Sequence, residues 1–217
     1  MFAPLVGKLL IASTTMEEPL YVRGVCLVVH EDEHRTIGVM LNRPMLPSPQ
    51  ALLQLMIGGA ESEPSDTTTL AAKANRVPEA DRSTIDEATL ANASGSLGLV
   101  HFGGPLSGPV VAVHGSSDLA EAETGQGIYV AAQKQNLESL VRHKPSPYRL
   151  IVGHLGWEPD QLTGEIEAGI WHLVPATADI VFDSDQEMWP RLVRRATAHS
   201  LARWIGTPDV PAAEQLN

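Results

Sequence analysis

Cysteine is nearly missing from the chain: Cys26 is the single one in 217 residues. An intramolecular disulfide, a multi-cysteine zinc site and a C-x-x-C redox pair are therefore excluded. Cys26 stands in Gly24-Val25-Cys26-Leu27-Val28-Val29, an apolar β-branched run, and no Lys, Arg or His adjoins the cysteine itself. It reads as a small buried hydrophobe and not as a reactive thiol. Basic residues are scarce as well, 15 against 26 acidic ones, for a net charge of −11. The stretch 97–186 is the most one-sided, with 4 basic and 11 acidic residues. Such a chain repels phosphate backbones and anionic lipid, so neither specific nucleic acid nor a membrane surface is expected as a partner.

Long apolar runs are missing too; none approaches the ~18 residues of a membrane span. The first thirteen residues lack a basic start, Lys8 interrupts their apolar stretch and no A-x-A follows, so no secretory signal is read there and a cytoplasmic location is expected. Nucleotide-binding signatures are absent: there is no G-x-x-x-x-G-K-[ST], and no G-x-G-x-x-G between a strand and a helix. The G-x-S-x-G of hydrolases is also absent, since Ser94 stands where the first glycine before Ser96 is needed.

What is present is a 43% hydrophobic, 19% charged composition, that of a globular chain able to bury about 70% of its unfolded surface without staples. Residues 24–30 and 36–42 are apolar runs around the polar stretch Glu31-Asp32-Glu33-His34-Arg35, the pattern of a β-hairpin. Asn42-Arg43-Pro44 stops the second strand. Ser48-Pro49 opens a short helix over 50–57, closed by Gly58-Gly59. Further strands are predicted at 99–102, 110–114, 127–132, 148–153, 170–174 and 179–182, and helices at 135–143, 159–168 and 187–205. The mixture lacks regular β-α alternation, which points to an α+β fold. One domain over 1–217 is expected. It would be interrupted by a polar, mobile excursion at 58–96 whose only large aliphatic residues are Leu70, Val77, Ile85 and Leu90.

His30-Glu31-Asp32-Glu33-His34 spells H-E-x-x-H. Zinc proteases use that spacing because a helix places the two histidines on one face. Here strands flank it, so it reads as a solvated hairpin tip; no metal and no cofactor are expected. His101, His114, His154 and His172 lie in or at the ends of apolar strands. Their convergence would make a metal or acid–base site, but no spacing selects it. Gly103-Gly104-Pro105 is the chemistry of a sharp turn, with an anion-holding backbone nest as the alternative. On the last helix Trp189, Leu192, Val193, Ala196 and Trp204 fall on one side, opposite Arg191, Arg194, Arg195 and His199.

An ordered set of blocks runs through the chain: Leu9-Leu10-Ile11-Ala12, Glu18 to Val25, Thr36 to Pro44, Phe102-Gly103-Gly104-Pro105 to His114, Gly153-His154-Leu155-Gly156-Trp157, Gln161-Leu162, Glu165, Gly169-Ile170-Trp171 and Val181-Phe182-Asp183. Taken together they resemble the YqgE/AlgH family of small bacterial proteins. The chain departs from the family's usual pattern with Glu18 for Asp, Tyr21 for Phe, Gly24 for Ser and the reversed pair His30-Glu31. The resemblance implies a bifurcated, mostly antiparallel β-sheet curled into a pseudo-barrel with flanking helices. It implies no settled activity, although the family name carries a suggestion of transcriptional regulation.

Two functional readings follow. The first is a binding or regulatory protein acting through a protein partner or a small polar ligand, not by direct DNA reading. Its surface would form where Arg23, Asn42, Arg43 and the Gly103-Gly104-Pro105 turn meet Trp157, Gln161 and Glu165; Arg, Asn, exposed backbone and an aromatic are what such a site uses. The second is an enzyme using a histidine/carboxylate pair in a sheet-end pocket, with Glu165 or a strand-end histidine as acid–base.

The charge balance generates a test. Arg191, Arg194, Arg195 and Arg203 form the one basic cluster in reach of a duplex, on a body of net −11. Fluorescence anisotropy at ~0.15 M salt, where the Debye length is about 8 Å, should give no sequence-specific DNA binding. Submicromolar affinity that survives random competitor DNA and is lost in Arg194→Ala/Arg195→Ala would overturn the expectation.

Overall fold

The structure is a computed structural model that describes residues 4–45, 48 and 99–204. The helix read at 50–57 and the excursion at 58–96 lie outside the described residues.

The apolar β-branched runs build two sheets. The first contains β1 (Lys8–Ala12), β2 (Val25–Glu31), β3 (Thr36–Met40), β10 (Leu155–Trp157) and β11 (Trp171–Pro175). Its order is β10-β3-β2-β1-β11, and every pair is antiparallel. The second contains β4 (Pro44–Met45), β5 (Val100–Phe102), β6 (Val111–His114), β7 (Ala122–Gly125), β8 (Ile128–Ala131) and β9 (Tyr148–Val152). Its order is β4-β5-β9-β6-β8-β7, with β5 and β9 parallel. The fold is thus α+β and mostly antiparallel, its two sheets not closed into a barrel.

The chain passes between the sheets twice. After β3, Leu41 N–H still donates to Val25 of the first sheet at 2.8 Å, while the Arg43 carbonyl already accepts from Phe102 N–H of the second at 2.8 Å. After β9, Gly153-His154 carries the chain back, and His154 and Leu106 exchange backbone hydrogen bonds at 3.0 and 3.1 Å. The turn that follows β5, Gly103-Gly104-Pro105, packs against the second passage. A Cβ on Gly103 would stand 2.2 Å from the Gly153 oxygen, and one on Gly104 2.3 Å from the His154 carbonyl. The glycines are there for close backbone approach.

Strand alternation sorts the side chains into layers. Leu9, Ile11, Val25, Leu27, Val39 and Leu41 of the first sheet share one buried cluster with Val113, Ile128 and Ile151 of the second. Met188, Leu192, Val193 and Ala196 of α4 (Asp185–Trp204) complete it. On the other face of the first sheet, Leu10, Cys26, Val28 and Met40 pack with Trp157, Trp171 and Leu162 of α2 (Pro159–Glu167). The second sheet is covered by Leu137, Leu140 and Val141 of α1 (Lys134–His143). Cys26 is fully buried and its thiol is pushed up by desolvation, as its apolar setting requires.

One polar group interrupts the central layer. Arg149 of β9 is 0% exposed. Its Nε donates to the Val181 carbonyl at 2.8 Å and its Nη1 to the Leu41 carbonyl at 3.3 Å. Nη1 also meets the Asp185 carboxylate, and Nη2 donates to the Asp183 carbonyl. Buried His101 of β5 joins them, its Nε2 lying 2.8 Å from Arg149 Nη1 and 3.1 Å from Asp185 Oδ2. That nitrogen can accept from the guanidinium or donate to the carboxylate, but not both at once. Burial alone would raise the Asp185 carboxyl; hydrogen bonding from His101 and the Arg149 charge outweigh it and hold the group below its ordinary value.

One expected element is corrected. Residues 179–182 are not a strand; Ala178–Val181 is a short helix, α3, with Ile180 and Val181 N–H both donating to the Thr177 carbonyl. A four-residue apolar run has no period to tell strand from helical turn. β7 and β10, unread in the sequence, are edge strands of four and three residues. The last helix places Leu192, Val193 and Ala196 inward and Arg191, Arg194 and Arg195 outward. The expected places of Trp204 and His199 on its faces lie outside the described side chains.

Asp185→Asn should lower the urea midpoint at neutral pH by the equivalent of about 3–5 kcal/mol, because it removes the carboxylate that meets a buried guanidinium. A carboxyl held low in the fold stabilises above its unfolded value and loses that contribution as pH falls through its folded value. The wild-type advantage over Asp185→Asn should therefore shrink once pH drops below about 3.9. A difference that stays constant down to pH 2 would contradict the assignment.

Candidate functional site

Where β10 runs into α2, Glu158-Pro159 starts the helix, and Gln161 and Glu165 follow four residues apart on one face. That spacing makes them neighbours, and Gln161 Nε2 donates to Glu165 Oε1 at 2.9 Å. Two indoles converge on the other carboxylate oxygen. Trp157 Nε1 donates to Glu165 Oε2 at 3.1 Å, and Trp171 Nε1 donates to the same atom at 2.8 Å. Both tryptophans are buried, so each N–H needs an acceptor. Their rings meet edge-on, centroids 6.2 Å apart at 89°. Tyr21 packs on Trp171 in the same manner at 6.0 Å.

Gly38 makes room for this cluster. A Cβ there would lie 2.4 Å from Cys26 Sγ and 3.0 Å from the Trp157 ring. Trp157 can therefore lie across β3 only because that position lacks a side chain.

The cluster forms the wall of a cavity of about 360 Å³, within the range of about 300–1,000 Å³ typical of ligand sites. Its opening is bordered by Glu18, Pro105, Leu106 and Ile170, all exposed. Burial, reinforced by the charges of Glu18 and Glu165, pushes the Tyr21 phenol up. A second groove of about 310 Å³ lies between β11 and α2, lined mainly by Leu5, Ile166, Leu173, Val174 and Pro175. Lys8, Thr163 and Glu167 complete its lining.

The structure brings Pro105, Trp157, Gln161 and Glu165 together in the lining. It places the rest of the sequence-predicted group elsewhere. Asn42 Oδ1 accepts from Val25 N–H at 3.0 Å, and its Nδ2 donates to the Arg23 carbonyl at 2.8 Å. Arg43 donates to the carbonyls of Asn42 and Val22. Arg23 adopts a positive φ of 56° and sets its guanidinium over Trp189, 5.7 Å from the ring centroid. These three brace the loop before β2 against the passage after β3. Gly103 is likewise engaged, its N–H to Val152 and its carbonyl to Met40, while Gly104 packs on His154.

Trp171, Tyr21 and Glu18 were missed as site residues. Trp171 carried one usable signal, an indole N–H in an apolar strand that must find a partner. Among the described residues no three or more His, Cys, Asp or Glu side chains gather as a metal site would need. Among the described residues the histidine–carboxylate contacts are His30–Asp32 and His101–Asp185, and neither lines the cavity. The H-E-x-x-H stretch is an exposed hairpin tip. There Asp32 accepts from the His34 and Arg35 N–H groups, and its carboxyl is drawn down to about 2, first by the His30 hydrogen bond.

Comparison with known proteins places this geometry. The sequence profile described as AlgH-like matches residues 9–200. A UPF0301 protein of Chlorobium chlorochromatii is 29% identical over 214 residues, covering 94% of this chain and 93% of its own. One of Streptomyces avermitilis is 27% identical over 212 residues, covering 96% and 94%. Among solved structures, the AlgH protein of Pseudomonas aeruginosa superposes with a TM-score of 0.61 at 18% identity, over 97% of this chain and 98% of that one. The crystal structure of DIP2367 from Corynebacterium diphtheriae gives 0.56 at 22% identity, over 89% and 88%. These likenesses establish the shared fold.

Glu165→Ala should strand two buried indole N–H groups at about 1–3 kcal/mol each. Denaturation should show the loss, and the indole Nε1–H resonances of Trp157 and Trp171 should both move while that of Trp189 does not. Movement of one alone would contradict the shared acceptor.

Proposed function

We propose that this chain, which belongs to the AlgH-like family, is a cytoplasmic binding or regulatory protein that works through the cleft between β10, β11 and α2. One observation carries the reading: a carboxylate, Glu165, is fixed by two indoles and an amide at the wall of a cavity whose rim exposes Leu106 and Ile170. Fixed polar groups within an apolar, concave surface are what a recognition site for a small molecule or a partner segment requires. The acid–base alternative draws less support, because the His101–Asp185 pair is remote from the lining and committed to Arg149. An action through a partner and not on DNA is supported by charge. Of the outward arginines on α4, Arg191 is paired with Asp183, and Arg194 Nε donates to the Pro190 carbonyl.

Among the described residues no helix is long and apolar enough to cross a membrane. The test is recovery of the full chain from native cell extract, followed by mass spectrometry of what it retains. A ligand or partner segment held by the wild type and lost in Leu106→Trp, which fills the cleft from an exposed position, is the expected result. Retention unaffected by that variant, or no retention, would contradict the reading.

A further inference from the structure

We infer that the cleft recognises an organic cation with an apolar stem, of the alkylammonium kind. This rests on the reading of the cleft as a binding site and names its ligand class. The cleft's charge is of one sign: Glu165 stands in its wall and Glu18 at its rim, while no Lys, Arg or His is among its lining residues. Among the described residues neither carboxylate has a basic partner. The donors that hold Glu165 are all neutral, two indoles and one amide, so they orient the carboxylate without cancelling its charge.

The walls supply the second half of the match. Trp157, Trp171 and Tyr21 line the same cavity, and aromatic rings attract cations through their quadrupole, most strongly where water is excluded. Leu106 and Ile170 are 47% and 36% exposed at the opening, an apolar surface suited to a hydrocarbon stem and not to a bare metal ion. An anion would meet two carboxylates in a concave space that concentrates their field. A neutral ligand would leave that field unused.

A free amine and a lysine side chain of a peptide carry the same chemistry, so the experiment separates them. The full-length protein, labelled with nitrogen-15, is titrated with n-butylammonium, Nα-acetyl-lysine methylamide, butan-1-ol and butyrate, following the Trp157 and Trp171 indole resonances. Both indoles should shift saturably with a cation and not with the alcohol or butyrate. Saturation by butylammonium alone assigns a free amine; saturation by the lysine amide assigns a peptide. Glu18→Gln, at an exposed position, should weaken cation binding about tenfold and leave the urea midpoint unchanged.

Equal response to the alcohol, preference for butyrate, or no response to either cation would overturn the inference. The two levels separate cleanly. If the cations fail while the extract-derived ligand is still lost in Leu106→Trp, the ligand class is wrong and the site stands. If that retention also fails, both fall.

Discussion

A guanidinium with no access to water governs this architecture. Arg149 stands on the inner face of the second sheet, and its donors are spent on carbonyls that belong to connections, not to strands. Leu41 lies in the passage from the first sheet to the second; Val181 closes α3, and Asp183 lies in the link between α3 and α4. Chain segments that would otherwise bury unpaired carbonyls are thus satisfied from one side chain. Asp185 at the start of α4 supplies the counter-charge. An arginine suits this role because its planar fork presents five donors at fixed angles, which a lysine cannot reproduce.

The cleft between β10, β11 and α2 is built on that frame at one remove. Its walls are Pro105-Leu106, in the turn that follows β5, and Leu155-Gly156-Trp157, which leaves the second sheet-to-sheet passage. Where that turn meets the passage, backbone meets backbone at Gly103, Gly104 and Gly153. The relative position of the walls is therefore set by main-chain contact and not by adaptable side chains. The indole–carboxylate cluster then closes the gap between the first sheet and α2. Site and scaffold are continuous, and the stiffness of one is passed to the other.

Much of the scaffold was legible in the sequence. The hairpin of β2 and β3, the strands around His101, Val113 and Leu150, and all three long helices follow from apolar runs, polar tips and glycine stops. The cleft was half legible: Trp157, Gln161, Glu165 and Pro105 converge, while Arg23, Asn42 and Arg43 turn to bracing a loop. Their types fitted a site, but carbonyls left over at a strand end want the same donors, and pattern does not say which demand is met. Arg149 was invisible for a related reason. A charged residue inside Tyr-Arg-Leu-Ile-Val reads as the solvent side of a half-exposed strand, and only the first sheet and the α3–α4 segment packed over it reveal that there is no solvent side.

β1 occupies the interior of the first sheet, between β2 and β11. Its five residues pair in full with β11, Lys8 opposite Pro175 through to Ala12 opposite Trp171. During synthesis its partner β11 is made only about 160 residues later. At roughly 5–20 residues per second, the Leu9-Leu10-Ile11 edge waits on the order of ten seconds or more for its cover. The β2–β3 hairpin can shield its other side meanwhile, but the open edge is a standing invitation to wrong pairing. The cost of this topology falls on the chain before β11 is made, and not on the finished sheet.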